Sequence, residues 1–359
     1  MRSHIHFLVM LSVLSLYCSG CSLDNKASFD RTLIIENAAQ NLILPSYQNF
    51  SDAVMYLDNQ VKVFTKKPNQ ANLATVQQAW QSAMLKWKAA EVYRFGPIET
   101  LALENSIQFW PIDKNGIEAT IENYDGSDNY LSAIGSNRRG LIGLEYLLFN
   151  GEDEDVLRAF ADPNRQRYAQ LVSESLIKHT TTILTEWNDA YATTFIENNG
   201  NDAGASITLL ANAIIYRIDL IRNSKIATPL GVRGANNPGL PSQVESLYAE
   251  FSKELIRENL LSLKSVFNGG NGNGFDDYLD ALNTNNANED SLSVIINNQF
   301  DASLASLNNI DGTFQEAIQQ ERQHVEQLLD DIQELLVLVK ADMTSQLGII
   351  VTFSDNDGD

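Results

Sequence analysis

Beyond Lys26, apolar residues recur at steps of three and four along most of the chain, and strand-like alternation is nearly absent. From Arg165 onward, Tyr168, Val172, Ser175, His179, Ile183, Trp187 and Tyr191 fall on one stripe of an amphipathic helix. Thr313 to Lys340 repeats the pattern with Ile318, Val325, Leu328, Leu329, Ile332, Leu336 and Val339. The spacing predicts helices over 29–43, 47–66, 70–95, 114–123, 137–149, 163–198, 203–223, 241–267, 274–282, 289–307 and 311–346. Prolines fall between these segments, and none follows Pro241, so the last third is free to form long helices. Segments 225–241 and 268–274 read as loops. Striped helices joined by short turns must bury their stripes against one another, so the predicted fold class is all-α, built from helical bundles.

The amino end stands apart from this pattern. Arg2 precedes an apolar run from Ile5 to Leu16, too short to span a bilayer and flanked like a secretory signal. It closes on Ser19-Gly20-Cys21, which resembles a bacterial lipobox, with Cys18 where an aliphatic residue is usual. Residues 1–20 are therefore expected to be removed and Cys21 acylated, anchoring an exported body to a membrane. Cleavage would leave Cys21 alone, so no intramolecular disulfide is expected. The remaining length suits two domains, placed at 27–160 and 161–359. With 46 acidic against 25 basic side chains the net charge is −21, which argues against a nucleic-acid partner because such binding depends on Lys and Arg.

Two constellations bear on chemistry. Trp80, Trp87, Glu91 and Phe95 share a helix face before Gly96-Pro97. A glutamate in that stripe must be paired, protonated or solvated in a cleft, as a structural salt bridge or as a site carboxylate. Gly140, Ile142, Gly143 and Glu145 form the second, a small-residue packing helix carrying one carboxylate. Metal chemistry is poorly supplied. His179 lies on an apolar stripe and reads as a core histidine. His324 completes one Glu-x-x-His with Glu321, where a di-iron bundle needs two copies. There is no H-E-x-x-H and no G-x-S-x-G, and the acidic end Asp355 to Asp359 starts a calcium-loop pattern that it does not complete.

Taken in order, Trp80, Trp87, Glu91, Phe95-Gly96-Pro97, Trp110-Pro111 with Asp113, and Tyr146 to Phe149 resemble the imelysin family. Pro229 to Arg233, Gly274 to Leu279 and Leu347 to Asp359 extend the resemblance over nearly the whole mature chain. The family's G-x-H-x-x-E signature falls on Gly140, Ile142 and Glu145. The resemblance implies two packed domains, each containing a four-helix bundle, with the signature near their interface. It also implies an envelope lipoprotein, in the periplasm or at the outer membrane, serving iron uptake beside other envelope components. Iron or another divalent cation is then the ion to consider. The family carries a metallopeptidase label, but Ile142 has no lone pair to offer a metal. The chain is therefore expected to be a non-enzymatic ligand- or partner-binding protein, with Glu91, Gly140, Ile142 and Glu145 around the cleft and Arg139 or Arg233 as countercharges. No metal site is expected, Glu91 and Glu145 being weak ligands at best. The alternative is a metallopeptidase with a rebuilt site.

Overall fold

The computed structural model describes residues 29–127, 130–232, 239–285 and 290–352. Cys21, Arg233 and the acidic end from Asp355 lie outside the described residues, so the expectations placed on them find no counterpart here. Among the described residues, eight helices of ten residues or more carry the fold. They are α1 (Leu44–Lys66), α2 (Gln70–Ala90), α3 (Gly140–Phe149), α4 (Pro163–Glu186), α5 (Ser206–Leu220), α6 (Ser252–Asn268), α7 (Leu292–Asn308) and α8 (Arg322–Val337). The only β pairing among them is an isolated bridge between Asn285 and Ser291, so the chain is all-helical as the periodicity predicts. No described helix is long and apolar enough to cross a membrane.

Helix starts follow local chemistry. The Asn69 side chain accepts the Asn72 N–H at 3.0 Å to cap α2, and Asp162 caps α4 ahead of Pro163. Such caps satisfy backbone donors that the first turn leaves unpaired. The stripe foreseen on α4 buries Tyr168, Val172, Ile183 and Trp187, and α4 packs on α1 and α3. α1 also packs on α2, and α2 on α3. In the second half α7 lies against α6 and α8, and α5 against α6 and α8. Contact between α2 and α6 joins the two sets, and one continuous apolar core runs through both. The boundary expected at 160/161 thus falls just before a helix whose contacts run back to the first set.

Four predicted helices are not uniform α-helix. The stretches Ala38–Ile43, Trp187–Tyr191, Ile221–Ala227 and Leu338–Met343 are π-helical, each inserting a wide turn into a longer helix. Residues 225–241, expected as a loop, begin inside the third of these and continue as the short helix Thr228–Leu230. The helix predicted from 241 begins only at Ser252. After the short 3₁₀ turn Pro241–Gln243 the chain runs irregularly, with positive φ at Ser246 and Glu250. That irregular segment, and not a helix face, supplies half of the candidate site.

Candidate functional site

Glu91 is the C-cap of α2, where the helix dipole already disfavours a negative charge. It is 3% exposed and survives there because cations surround it. Lys88 Nζ lies 2.9 Å from Oε2, Arg217 Nη1 3.3 Å from Oε1, and Lys225 Nζ 3.5 Å from Oε1. Asn259 Nδ2 of α6 donates to Oε1 at 2.7 Å. Burial alone would raise this carboxyl, but Arg217, Lys88 and Lys225 together outweigh it and hold Glu91 far below the usual carboxylate range.

A second buried carboxylate completes the network. Glu245, in the irregular segment before α6, meets Lys88 Nζ at 2.7 Å and Lys225 Nζ at 2.8 Å, and accepts Gln108 Nε2 at 2.7 Å. Gln108 in turn accepts from Trp87 Nε1 at 2.7 Å and from Lys88 at 2.6 Å. Arg217 donates to the Glu91 carbonyl and reaches Glu104 Oε1 at 3.1 Å. Arg217 and Lys225 are eight residues apart, a spacing that regular α-helix would rotate about 80° off a common face. The wide turn Ile221–Ala227 slows that rotation and brings both cations onto the same carboxylate. The network lines a cavity of about 320 Å³ walled also by Arg94, Phe109, Trp110, Tyr216 and Leu220.

Glu145 has opposite surroundings. It lies on α3, a helix buried along Gly140–Leu148, and is 1% exposed. Among the described residues no cation pairs with it; its Oε1 accepts the backbone N–H groups of Tyr248 at 2.9 Å and Ala249 at 3.1 Å. Burial raises its pKa to about 7, the two N–H bonds and the Ser246 hydroxyl offset part of that, and the charge of Glu245 adds to it. Glu145 and Ile142 line a second cavity of about 240 Å³ with Ser246, Tyr248, Val244 and Trp110. Gly140 opens α3 at φ +73°, and a Cβ there would meet the Ile107 carbonyl oxygen at 2.4 Å, so only glycine lets the two backbones approach.

The expected residues are thus divided between two adjoining cavities that share Trp110, with Glu91 lining one and Ile142 and Glu145 the other. Arg139 turns away from both glutamates: its Nη1 donates to the Leu131 carbonyl at 2.9 Å and Nη2 to Ser106 at 3.4 Å. The countercharges of Glu91 are instead Lys88, Arg217 and Lys225, none of which was foreseen. Both histidines among the described residues lie elsewhere. His179 bonds Ser175 at 3.1 Å with its pKa lowered to about 4 chiefly by burial, and exposed His324 pairs with Glu321 at 3.2 Å.

The donor set does not suit a hydrolytic metal. Such an ion takes three protein ligands beside an activated water. The Glu145 cavity offers one carboxylate already accepting two N–H groups, and the oxygens of Glu91 face cations. Among the described residues no group of three or more His, Cys, Asp or Glu converges on one point.

Buried helices meeting around two adjoining cavities, one lined by paired charges and the other by the carboxylate of a glycine-led helix, describe a class of helical protein that comparison makes specific. The sequence model described as Imelysin, peptidase M75, matches residues 43–339. The chain belongs to the imelysin family. It is 20% identical over 250 residues to iron-regulated protein A of Synechococcus elongatus, covering 67% of this chain and 65% of that relative's length. A crystal structure described as an iron-regulated protein A precursor, from Parabacteroides distasonis, superposes with a TM-score of 0.75 at 19% identity, covering 88% and 94% of the two chains. An imelysin-like protein from Psychrobacter arcticum gives 0.74 at 17% identity, covering 91% and 99%. These two likenesses show the fold.

Proposed function

We propose that this is a lipid-anchored protein of the cell envelope that serves iron uptake by binding a ligand in the paired cavities, without catalysing its hydrolysis. The observation that carries the binding role is that the charged cavity is lined by Arg217, whose buried Nε has no partner among the described residues. The adjoining cavity is lined by Glu145 and by Ser246, whose hydroxyl bears on that carboxylate. An orphaned buried donor costs about 1–3 kcal/mol, and a cavity that keeps one is suited to an occupant that satisfies it. The iron role rests on the names of the relatives, which call two of them iron-regulated. Export and anchoring rest on the lipobox-like run ending at Cys21. The non-enzymatic part rests on Ile142 standing where the family signature has histidine.

In the same reading the helices divide into two four-helix units, α1 to α4 and α5 to α8, with the charged cavity between the end of α2 and α5. The division after α4 moves the expected boundary downstream of 160.

A deletion strain grown with iron held limiting by a chelator tests the proposal. The wild-type gene restores growth, while Ser242→Trp and Asn105→Trp, exposed positions lining the two cavities, restore it poorly. Full rescue by both blocked variants would overturn the cavity role. Indifference of the deletion strain to iron would overturn the uptake role.

A further inference from the structure

Glu104 lies on the four-residue helix Glu104–Ile107, and its side chain keeps 27% exposure. Its Oε1 is 3.1 Å from Arg217 Nη2 and its Oε2 is 3.7 Å from Arg94 Nε. One carboxylate therefore bridges two guanidinium groups, an oxygen to each. The second of these separations is beyond hydrogen-bond reach, so Arg94 contributes charge to the bridge without a made bond. The Arg94 guanidinium is held instead by stacking, its Cζ 3.5 Å from the centroid of the Tyr216 ring. Stacking fixes the plane of a guanidinium and leaves its in-plane donors to meet an anion. Arg217, 2% exposed, keeps Nε without a partner among the described residues, beside the same cavity.

We infer that the Arg94–Arg217 pair recognises the carboxylate of a small ligand with a flat apolar body, and that Glu104 holds this position until the ligand displaces it. The inference rests on the reading of the cleft as a ligand site. Charge favours an anion. Lys88, Arg94, Arg217 and Lys225 face Glu91, Glu104 and Glu245, one positive charge in excess, and the excess becomes two when Glu104 swings out. Shape favours a ring. Trp87, Phe109, Trp110 and Tyr216 line the cavity, and Phe109 stands 41% exposed. A volume of about 320 Å³ suits a small molecule. A carboxylate is favoured over phosphate because the protein itself places a carboxylate there, one oxygen per arginine, in the geometry a guanidinium pair accepts.

Calorimetric titration of the mature chain with benzoate, its neutral isostere benzamide and inorganic phosphate tests the assignment, in wild type, Glu104→Gln and Arg94→Gln. Arg94 is half-buried and outside the core network, and circular dichroism checks that its variant folds. Benzoate is expected to bind wild type about tenfold or more tighter than benzamide, the margin of a charge-assisted bond. Glu104→Gln, which removes the competing charge, is expected to tighten benzoate by about tenfold, and Arg94→Gln to weaken it by as much. Equal affinity for benzoate and benzamide overturns the carboxylate clamp while leaving a ligand cavity in place. Preference for phosphate, an Arg94→Gln variant that binds benzoate like wild type, or no benzoate binding even to Glu104→Gln overturns it as well. Failure of the cavity reading itself would appear separately, in the growth of the blocked variants.

Discussion

Glu91 at the end of α2 and Glu145 on the neighbouring α3 are both almost fully buried, yet their neighbours give them opposite titrations. Three cations hold Glu91 ionised far into acid, so the stability it contributes is present above the usual carboxylate range and is lost only as pH falls well below it. Glu145 has no cation beside it among the described residues, and burial lifts it to about 7. Between the unfolded value near 4.3 and that figure the folded chain binds the extra proton, so stability falls as pH rises through this window and levels off above it. The full swing is on the order of 3 kcal/mol. Glu145→Gln removes the titrating group, so its melting temperature should gain on wild type between pH 5 and pH 8, by several degrees. Parallel melting curves across that range would show that Glu145 stays ionised throughout.

At the scale of elements, two pieces of backbone build the charged cavity, and neither was legible in the sequence. Val244, Leu247, Tyr248 and Phe251 have helical spacing, which is why a helix is predicted from 241. The segment is diverted because the Glu145 carboxylate, from a helix about a hundred residues earlier, takes the N–H groups of Tyr248 and Ala249. No local pattern announces a capture made from so far away in the chain. The turn Ile221–Ala227 hides Lys225 in the same way, since a lysine beside a polar run ordinarily faces water. Lys88 did leave a signal: it stands between Trp87 and Glu91 in an apolar stripe, four residues after the buried Met84. The helices themselves were legible because their stripes are long, and the family pattern singled out Glu91, Gly140 and Glu145. Replacing Lys225 by Met strands Glu245 with one cation fewer, and breaking a buried pair from one side costs about 3–5 kcal/mol. The denaturant midpoint should fall accordingly; a loss under about 1 kcal/mol would show that water reaches these charges.

Across the whole molecule the same network is a fastener. Lys88 and Glu91 come from α2, Arg217 from α5 and Asn259 from α6, so its bonds tie the first set of helices to the second where the apolar core is also continuous. One cooperative unfolding transition is expected, coincident by far-ultraviolet circular dichroism and by tryptophan fluorescence. Two separated transitions would show that each set of helices is stable alone. The four tryptophans make the second of these signals unusually selective. Trp80, Trp87 and Trp187 are at most 1% exposed, whereas Trp110 is half-buried and stands in the wall common to both cavities. A water-soluble quencher such as iodide will therefore dim essentially one indole, and any molecule that settles in either chamber will shield it. The protein carries its own optical gauge of occupancy, readable without a label and before the identity of the occupant is known.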